Sequence, residues 1–164
     1  MPETKTEADE SSSQVAYRWN LGDLYPDLAA WRAEKVRVAA EVPLVRMAAG
    51  QLDTSPQVLA DALETVSRVD KALVRLSVYA SMLSDEDTRL SEPQGMHQEM
   101  QQLYAEFGAQ ASYIEPELLR VGDATIEAYI LAEPRLAPYV VMLRDIARRA
   151  AHTLTDAEEK ILAD

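Results

Sequence analysis

The chain has 164 residues, which is the size of one domain or of one domain with terminal extensions. Acidic side chains number 28 and basic ones 16, so the net charge of −12 argues against nucleic acid or an anionic membrane surface as a partner. The sequence has no cysteine, which excludes disulfide scaffolds, thiol catalysis and cysteine-based zinc sites and suits a cytoplasmic protein.

The amino terminus is acidic and polar. Residues 1–16 hold four carboxylates against a single lysine and little apolar surface, so we expect a disordered tail followed by one domain over residues 17–164. Neither a signal-peptide core nor an apolar run of about 18 residues occurs in the sequence, so no membrane-spanning helix is expected.

The first predicted helix follows a turn at residues 22–26. Pro26 is expected in its first turn, where the missing N–H costs nothing. Apolar residues then recur at helical spacing as far as Val45. Pro43 predicts a kink near Val42, and Gly50 predicts the end of this segment.

The second predicted helix has the clearest pattern. Ser55 is the expected cap and Pro56 the first helical residue. An apolar seam follows, with members three and four residues apart: Leu59, Ala62, Val66, Val69, Leu73, Leu76, Ala80 and Leu83. Such a seam is found in coiled-coil dimers, but its flanks lack the paired charges that select a zipper partner. Packing inside a helical bundle is therefore the better interpretation.

A third helix is predicted after the short acidic linker 84–89. Ser91 and Gln94 resemble a capping box, and one apolar face follows: Met96, Met100, Leu103 and Phe107. Two long helices with a short connection predict an antiparallel hairpin. Shorter helices are expected over residues 116–121, 124–132 and 138–150, and no segment alternates as a strand would. The predicted class is all-α, a bundle built on the long hairpin.

The end of the sequence predicts an interrupted helix. Thr155 and Glu158 form a second capping-box signature, but the sequence ends at Asp164 with no cap and no basic last turn. A helix of about nine residues is marginal without a packing partner. The pattern is that of an element meant to continue.

The search for catalytic chemistry finds none. Neither His97 nor His152 lies in a His-Glu-x-x-His pattern, so they are interpreted as a helix-surface residue and a helix-junction residue. The run at residues 85–87 lacks the glycine of a calcium loop. Glu158 and Glu159 are adjacent on a helix and diverge by about 100°. We therefore predict no catalytic, metal-binding or cofactor-binding residue in this chain.

Several segments nevertheless resemble the amino-terminal region of the oligoendopeptidase F family, which consists of zinc metallopeptidases related to thimet oligopeptidase. Their order and spacing run through nearly the whole chain. They are Trp19–Pro26 with Trp31, Arg75–Thr88, Leu103–Phe107, Ile114–Leu118, and His152–Thr155 with Glu158-Glu159-Lys160.

The resemblance implies an all-α amino-terminal domain that forms part of the wall of a deep channel in an enzyme that cleaves oligopeptides. The family binds zinc through His-Glu-x-x-His and a downstream Glu, and this sequence has no counterpart of those residues. The chain itself is thus expected to be inactive, with zinc held by a separate carboxy-terminal catalytic domain, its expected partner. The alternative is an autonomous helical module that binds another protein. A reading frame that continues past Asp164 into His-Glu-x-x-His would favour the peptidase.

Self-association is expected from the same pattern. Ile161 and Leu162 have nothing downstream to cover them, and buried apolar area stabilises contacts by about 25 cal/mol per Å². We expect a twofold dimer that strengthens with salt, because salt screens the repulsion between acidic copies. Sedimentation velocity at low and high salt checks this. A monomer at tens of micromolar in both buffers would contradict it.

Overall fold

The computed structural model describes residues 19–150, and the regular elements of this part are all helices, which confirms the all-α class. It contains six α-helices: α1 Leu28–Glu41, α2 Pro56–Glu86, α3 Ser91–Ala111, α4 Ile114–Val121, α5 Asp123–Ala132 and α6 Val140–Ala150. Three 3-10 segments lie at Leu21–Asp23, Val42–Ala48 and Pro134–Tyr139. Among these described helices, none has the length and apolar character needed to cross a membrane.

Helix α1 begins at Leu28, so Pro26 is not in its first turn as predicted. Asp27 is its cap, and the Asp27 carboxylate accepts a hydrogen bond from the Ala30 backbone N–H at 2.7 Å. Pro26 therefore lies before the cap. Asp27 is the better cap, because its carboxylate accepts a hydrogen bond from a free N–H of the first turn, and proline has no side-chain acceptor. At Val42 the helix passes into the 3-10 segment that contains Pro43, as the kink predicted. Gly50 follows with a φ of 80°, a left-handed conformation that favours glycine.

Helix α2 confirms the predicted cap and first residue. The Ser55 hydroxyl accepts a hydrogen bond from the Val58 N–H at 3.2 Å, and Pro56 opens the helix. The helix continues through Glu86, three residues into the expected linker. Most of the predicted seam is buried, and only Val66 and Leu83 are half-buried. The apolar periodicity thus identified the packing face of a 31-residue helix.

The predicted capping box at the start of α3 is wrong. Leu90 occupies the cap position, and no side chain bonds to the helix end there. The Gln94 side-chain amide instead donates to the Thr88 carbonyl at 2.5 Å, which ties the linker to the first turn of α3. Glu92 in that turn complements the positive end of the helix dipole.

Helices α2 and α3 form the predicted antiparallel hairpin. Ser81 near the end of α2 contacts His97 near the start of α3, with Oγ and Nδ1 3.3 Å apart. The hairpin encloses a first core together with α1 and the Val42–Ala48 segment. Its buried side chains larger than alanine are Tyr25, Trp31, Val38, Val42, Val45, Val69, Leu73, Leu76, Tyr79, Met96, Met100 and Leu103.

A second core lies on the first half of α2. The helices α4, α5 and α6 pack there with the Pro134–Tyr139 segment, and they correspond to the three short helices predicted for this region, with bounds shifted by at most two residues. The buried side chains of this core are Leu52, Leu59, Ala60, Ala62, Leu63, Tyr113, Leu118, Ile126, Leu136, Leu143, Ile146 and Ala147. Helix α2 is therefore shared by both cores.

Some sequence predictions fall outside the described residues. They concern the tail 1–16, His152, the capping box at Thr155 and Glu158, the pair Glu158-Glu159, and the helix expected over 156–164.

For two buried tyrosines, we expect loss of the hydroxyl to affect the stability of the fold differently. The Tyr113 hydroxyl donates to the Val45 carbonyl at 2.9 Å, whereas the buried Tyr25 hydroxyl has no hydrogen-bond partner. We expect Tyr113→Phe to lower the free energy of unfolding by about 1 kcal/mol. Tyr25→Phe removes a polar group that gains nothing from folding, so we expect no loss of stability. Chemical denaturation of both variants checks this, and a larger loss for Tyr25→Phe would contradict it.

Candidate functional site

Three aromatic rings join the beginning of the described chain to the second half of α2. The Tyr25 and Tyr79 rings meet edge to face with centroids 5.4 Å apart, and Trp31 stacks on Tyr79 at 6.5 Å. The Trp31 indole N–H donates to the Leu76 carbonyl at 2.9 Å. Burial raises the pKa of both Tyr25 and Tyr79, so the rings stay neutral at physiological pH. This aromatic cluster positions the start of the described chain and α1 against α2.

Arg75 closes the aromatic cluster from the solvent side. Its guanidinium lies 5.0 Å from the centre of the Tyr25 ring, a cation–π distance. It also donates to the carbonyls of Asp23 and Leu24, at 3.3 Å and 2.5 Å. These carbonyls lie at the end of the Leu21–Asp23 segment, whose last C=O groups have no helical partners. Arg75 therefore fixes the entry of the chain into α1.

The acidic run at residues 85–87 is engaged in structural contacts. The Glu86 carboxylate accepts the Trp19 backbone N–H at 2.7 Å. Both Asp87 oxygens accept from the Arg89 guanidinium, at 2.8 Å and 2.7 Å. These hydrogen bonds lower the Asp87 pKa to about 2. Asp85 and Glu86 therefore lie in the last turn of α2, and Asp87 is the residue that ends this helix before α3 begins.

His97 is half-buried in the hairpin. Its Nδ1 faces the Ser81 hydroxyl at 3.3 Å, and its Nε2 faces the Gln101 amide nitrogen at 3.1 Å. Both ring nitrogens are thus occupied by neutral side chains, and the seam between two helices holds the imidazole. Within residues 19–150, no group of three or more histidine or carboxylate side chains could hold a metal ion.

A second set of contacts holds the carboxy-terminal helices to the rest of the chain. Arg135 pairs with Asp61 and Glu64 on α2, at 2.6 Å and 3.2 Å, and with Glu133 at 3.2 Å. The hydrogen bond from Arg135 lowers the pKa of Glu133. Glu133 is buried and caps the Pro134–Tyr139 segment through the Arg135 N–H at 3.1 Å. Sequence reasoning missed this ion-pair group, because its members are up to 74 positions apart.

The described surface has two adjoining clefts on the outer side of α6. One has a volume of about 620 Å³, and the other, beside α3 and α4, has about 410 Å³. Both are lined by Met142 and Asp145, which form the ridge between them. Val141 on this side is 82% exposed. Met142 is 40% exposed, because Leu143 and Ile146 carry the buried face of α6.

The chain is similar to several bacterial peptidases. The family model for oligopeptidase F matches residues 117–164. Oligopeptidase PepF of Bacillus subtilis is 31% identical over 156 residues, which is 95% of this chain and 23% of PepF. Group B oligopeptidase PepB of Streptococcus agalactiae is 28% identical over 94% of this chain and 26% of its own length.

Solved structures give the same relationship. The crystal structure of a protein from Chlamydophila abortus superposes on 89% of this chain and 25% of its own length, with a TM-score of 0.75 and 30% identity. The chain belongs to the oligoendopeptidase F family. Oligoendopeptidase F from Enterococcus faecium superposes on 81% of the chain with a TM-score of 0.68 and 27% identity. The chain spans about a quarter of the length of these relatives, in their amino-terminal region.

Membership in the oligoendopeptidase F family agrees with the resemblance seen in the sequence, and the structure shows what those segments do. Trp19–Pro26 and Trp31 meet Arg75–Thr88 in the aromatic cluster and at Glu86. In Ile114–Leu118, Glu117 accepts the Gly50 N–H at 2.5 Å, and Leu118 is fully buried. The resembling segments within the described part are therefore packing and capping residues.

The Asp87–Arg89 pair predicts a titration that solution NMR can follow. With both residues in place, we expect the Asp87 carboxyl carbon to titrate near pH 2, below the usual aspartate value of 3.8. The pair stabilises the folded state above the unfolded pKa, and that contribution is lost as the pH falls through about 2. In Arg89→Gln the Asp87 midpoint is expected to rise. An unchanged midpoint would show that Arg89 is not the cause.

Proposed function

We propose that this chain is the amino-terminal helical domain of an oligopeptidase of the oligoendopeptidase F type, with residues 17–164 forming part of the wall of a substrate channel. The similarity to Bacillus subtilis PepF, 31% over 95% of this chain, carries the proposal. The shared fold, with TM-scores of 0.75 and 0.68, supports it.

In this proposal, peptide hydrolysis belongs to a zinc-binding catalytic region outside these 164 residues. The two histidines of the sequence are 55 positions apart and form no His-Glu-x-x-His pair. The imidazole of His97 is held by Ser81 and Gln101, which makes it a poor zinc ligand. The domain would therefore shape the space around an oligopeptide and take no part in the chemical step. A cytoplasmic location and the twofold dimer expected from the sequence belong to the same proposal.

The rigidity of the hairpin supports a role as a wall. The α2–α3 pair is packed along its length, and its ends are tied by the aromatic cluster and by the group around Arg135. A wall made of long packed helices keeps its shape when substrate enters. The conformational entropy lost on binding is therefore mainly that of the flexible peptide, and little is lost by the protein. A channel of fixed width also favours short peptides over folded proteins.

A chimera tests the proposal. The aligned quarter of Bacillus subtilis PepF is replaced by residues 1–164 of this chain, and hydrolysis of a quenched fluorescent oligopeptide is measured. We expect the chimera to hydrolyse the peptide in a chelator-sensitive way, because the shared fold restores the missing wall. This chain alone is expected to be inactive.

The control is PepF with an unrelated helical bundle of similar length in the same position. Activity of that control equal to the chimera would show that the wall has no specific role. A soluble, zinc-loaded chimera without activity would contradict the proposal and favour the autonomous binding module.

A further inference from the structure

The outer side of α6 carries exposed apolar side chains and differs in charge from the chain as a whole. We define the α6 outer face as Val141, Met142, Arg144, Asp145 and Arg148, all of which are exposed and line the larger cleft together with Pro138. Its apolar members, Val141 and Met142, are 82% and 40% exposed. A surface that combines open apolar clefts with exposed side chains of this kind is typical of a protein contact site.

The charge of this face indicates its partner. Helix α6 carries three arginines, at positions 144, 148 and 149, and a single carboxylate, Asp145, in a chain with a net charge of −12. Arg148 has a side chain that is 75% exposed and pairs with Asp145 of its own helix. Arg144 pairs with Glu127 on α5 at 2.6 Å. An apolar surface rimmed by carboxylates complements this arrangement, whereas a second copy would bring like charges together.

The position of α6 in the chain indicates which protein supplies that surface. In the relatives, the matched amino-terminal region is about a quarter of the length, so three quarters of a relative's chain continues after it. Helix α6 is the last helix of the described part, and it belongs to the segment matched by the family model. Of the described surface, it is therefore the helix nearest in sequence to the point where the rest of such an enzyme begins.

From these observations we infer that the α6 outer face is the docking surface for the catalytic portion of the peptidase. In the docked state, the catalytic portion places apolar side chains on both sides of the Met142–Asp145 ridge and carboxylates near Arg148. The inference rests on the proposed function and adds to it the surface through which the wall is attached. Arg148, whose side chain is 75% exposed, gives the attachment an orientation in a chain that is acidic as a whole.

The PepF chimera tests this inference through its resistance to heat. Val141→Asp and Arg148→Glu place negative charge on the α6 outer face without disturbing a buried side chain. We expect each to shorten the inactivation half-life of the chimera about tenfold, because a weakened attachment speeds irreversible unfolding. The melting temperature of the isolated chain is expected to stay unchanged, since both side chains are exposed.

Met47→Asp is the matched control. Met47 is 72% exposed and lines a different cleft, between the Val42–Ala48 segment and α2. We expect it to leave the half-life of the chimera within about twofold of the parent value. An active chimera whose half-life is insensitive to Val141→Asp and Arg148→Glu, or equally sensitive to Met47→Asp, would overturn the inference alone. An inactive parent chimera would overturn the proposed function, and the inference with it.

Discussion

The burial of α2 along its whole length is the constraint on which the rest of the structure depends. Leu59 and Leu63 in its first half belong to the second core, while Leu73 and Leu76 in its second half belong to the first. An exposed helix of 31 residues would gain little from its own hydrogen bonds, so its stability comes from the two cores that it joins. The two cores therefore share one helix as a common packing element.

Polar contacts orient the elements that the apolar contacts bring together. The Trp31 indole bonds to Leu76, the Tyr113 hydroxyl to Val45, and the Tyr129 hydroxyl to the Asp53 carbonyl at 2.7 Å. Each joins a side chain of one element to a backbone carbonyl at least 45 positions away. The hydrophobic effect is non-directional, whereas a hydrogen bond is directional. These bonds thus set the angles at which helices meet, which a wall of defined shape requires.

The distribution of roles in this domain explains why no catalytic pattern stands out in its sequence. Side chains that usually carry chemistry are engaged in structure: Glu86 bonds to a backbone N–H, Asp87 pairs with Arg89, and His97 lies between two neutral side chains. The residues that this chain shares with the family pattern are therefore mainly aromatic, capping and apolar residues. A family can be recognised from such residues when their order and spacing are taken together.

The sequence by itself determined the class and the long hairpin, because helix caps, prolines and apolar periodicity are local signals. Ser55, Pro43 and the seam of α2 are examples, and all three were predicted correctly. Only the tertiary structure decided which hydrogen-bond or ion-pair partner each polar side chain has. Gln94 bonds to Thr88 in place of the predicted capping box, and Arg135 reaches carboxylates far along the chain. Long-range pairing and the outward position of Met142 depend on how helices pack, and a linear pattern does not contain that geometry.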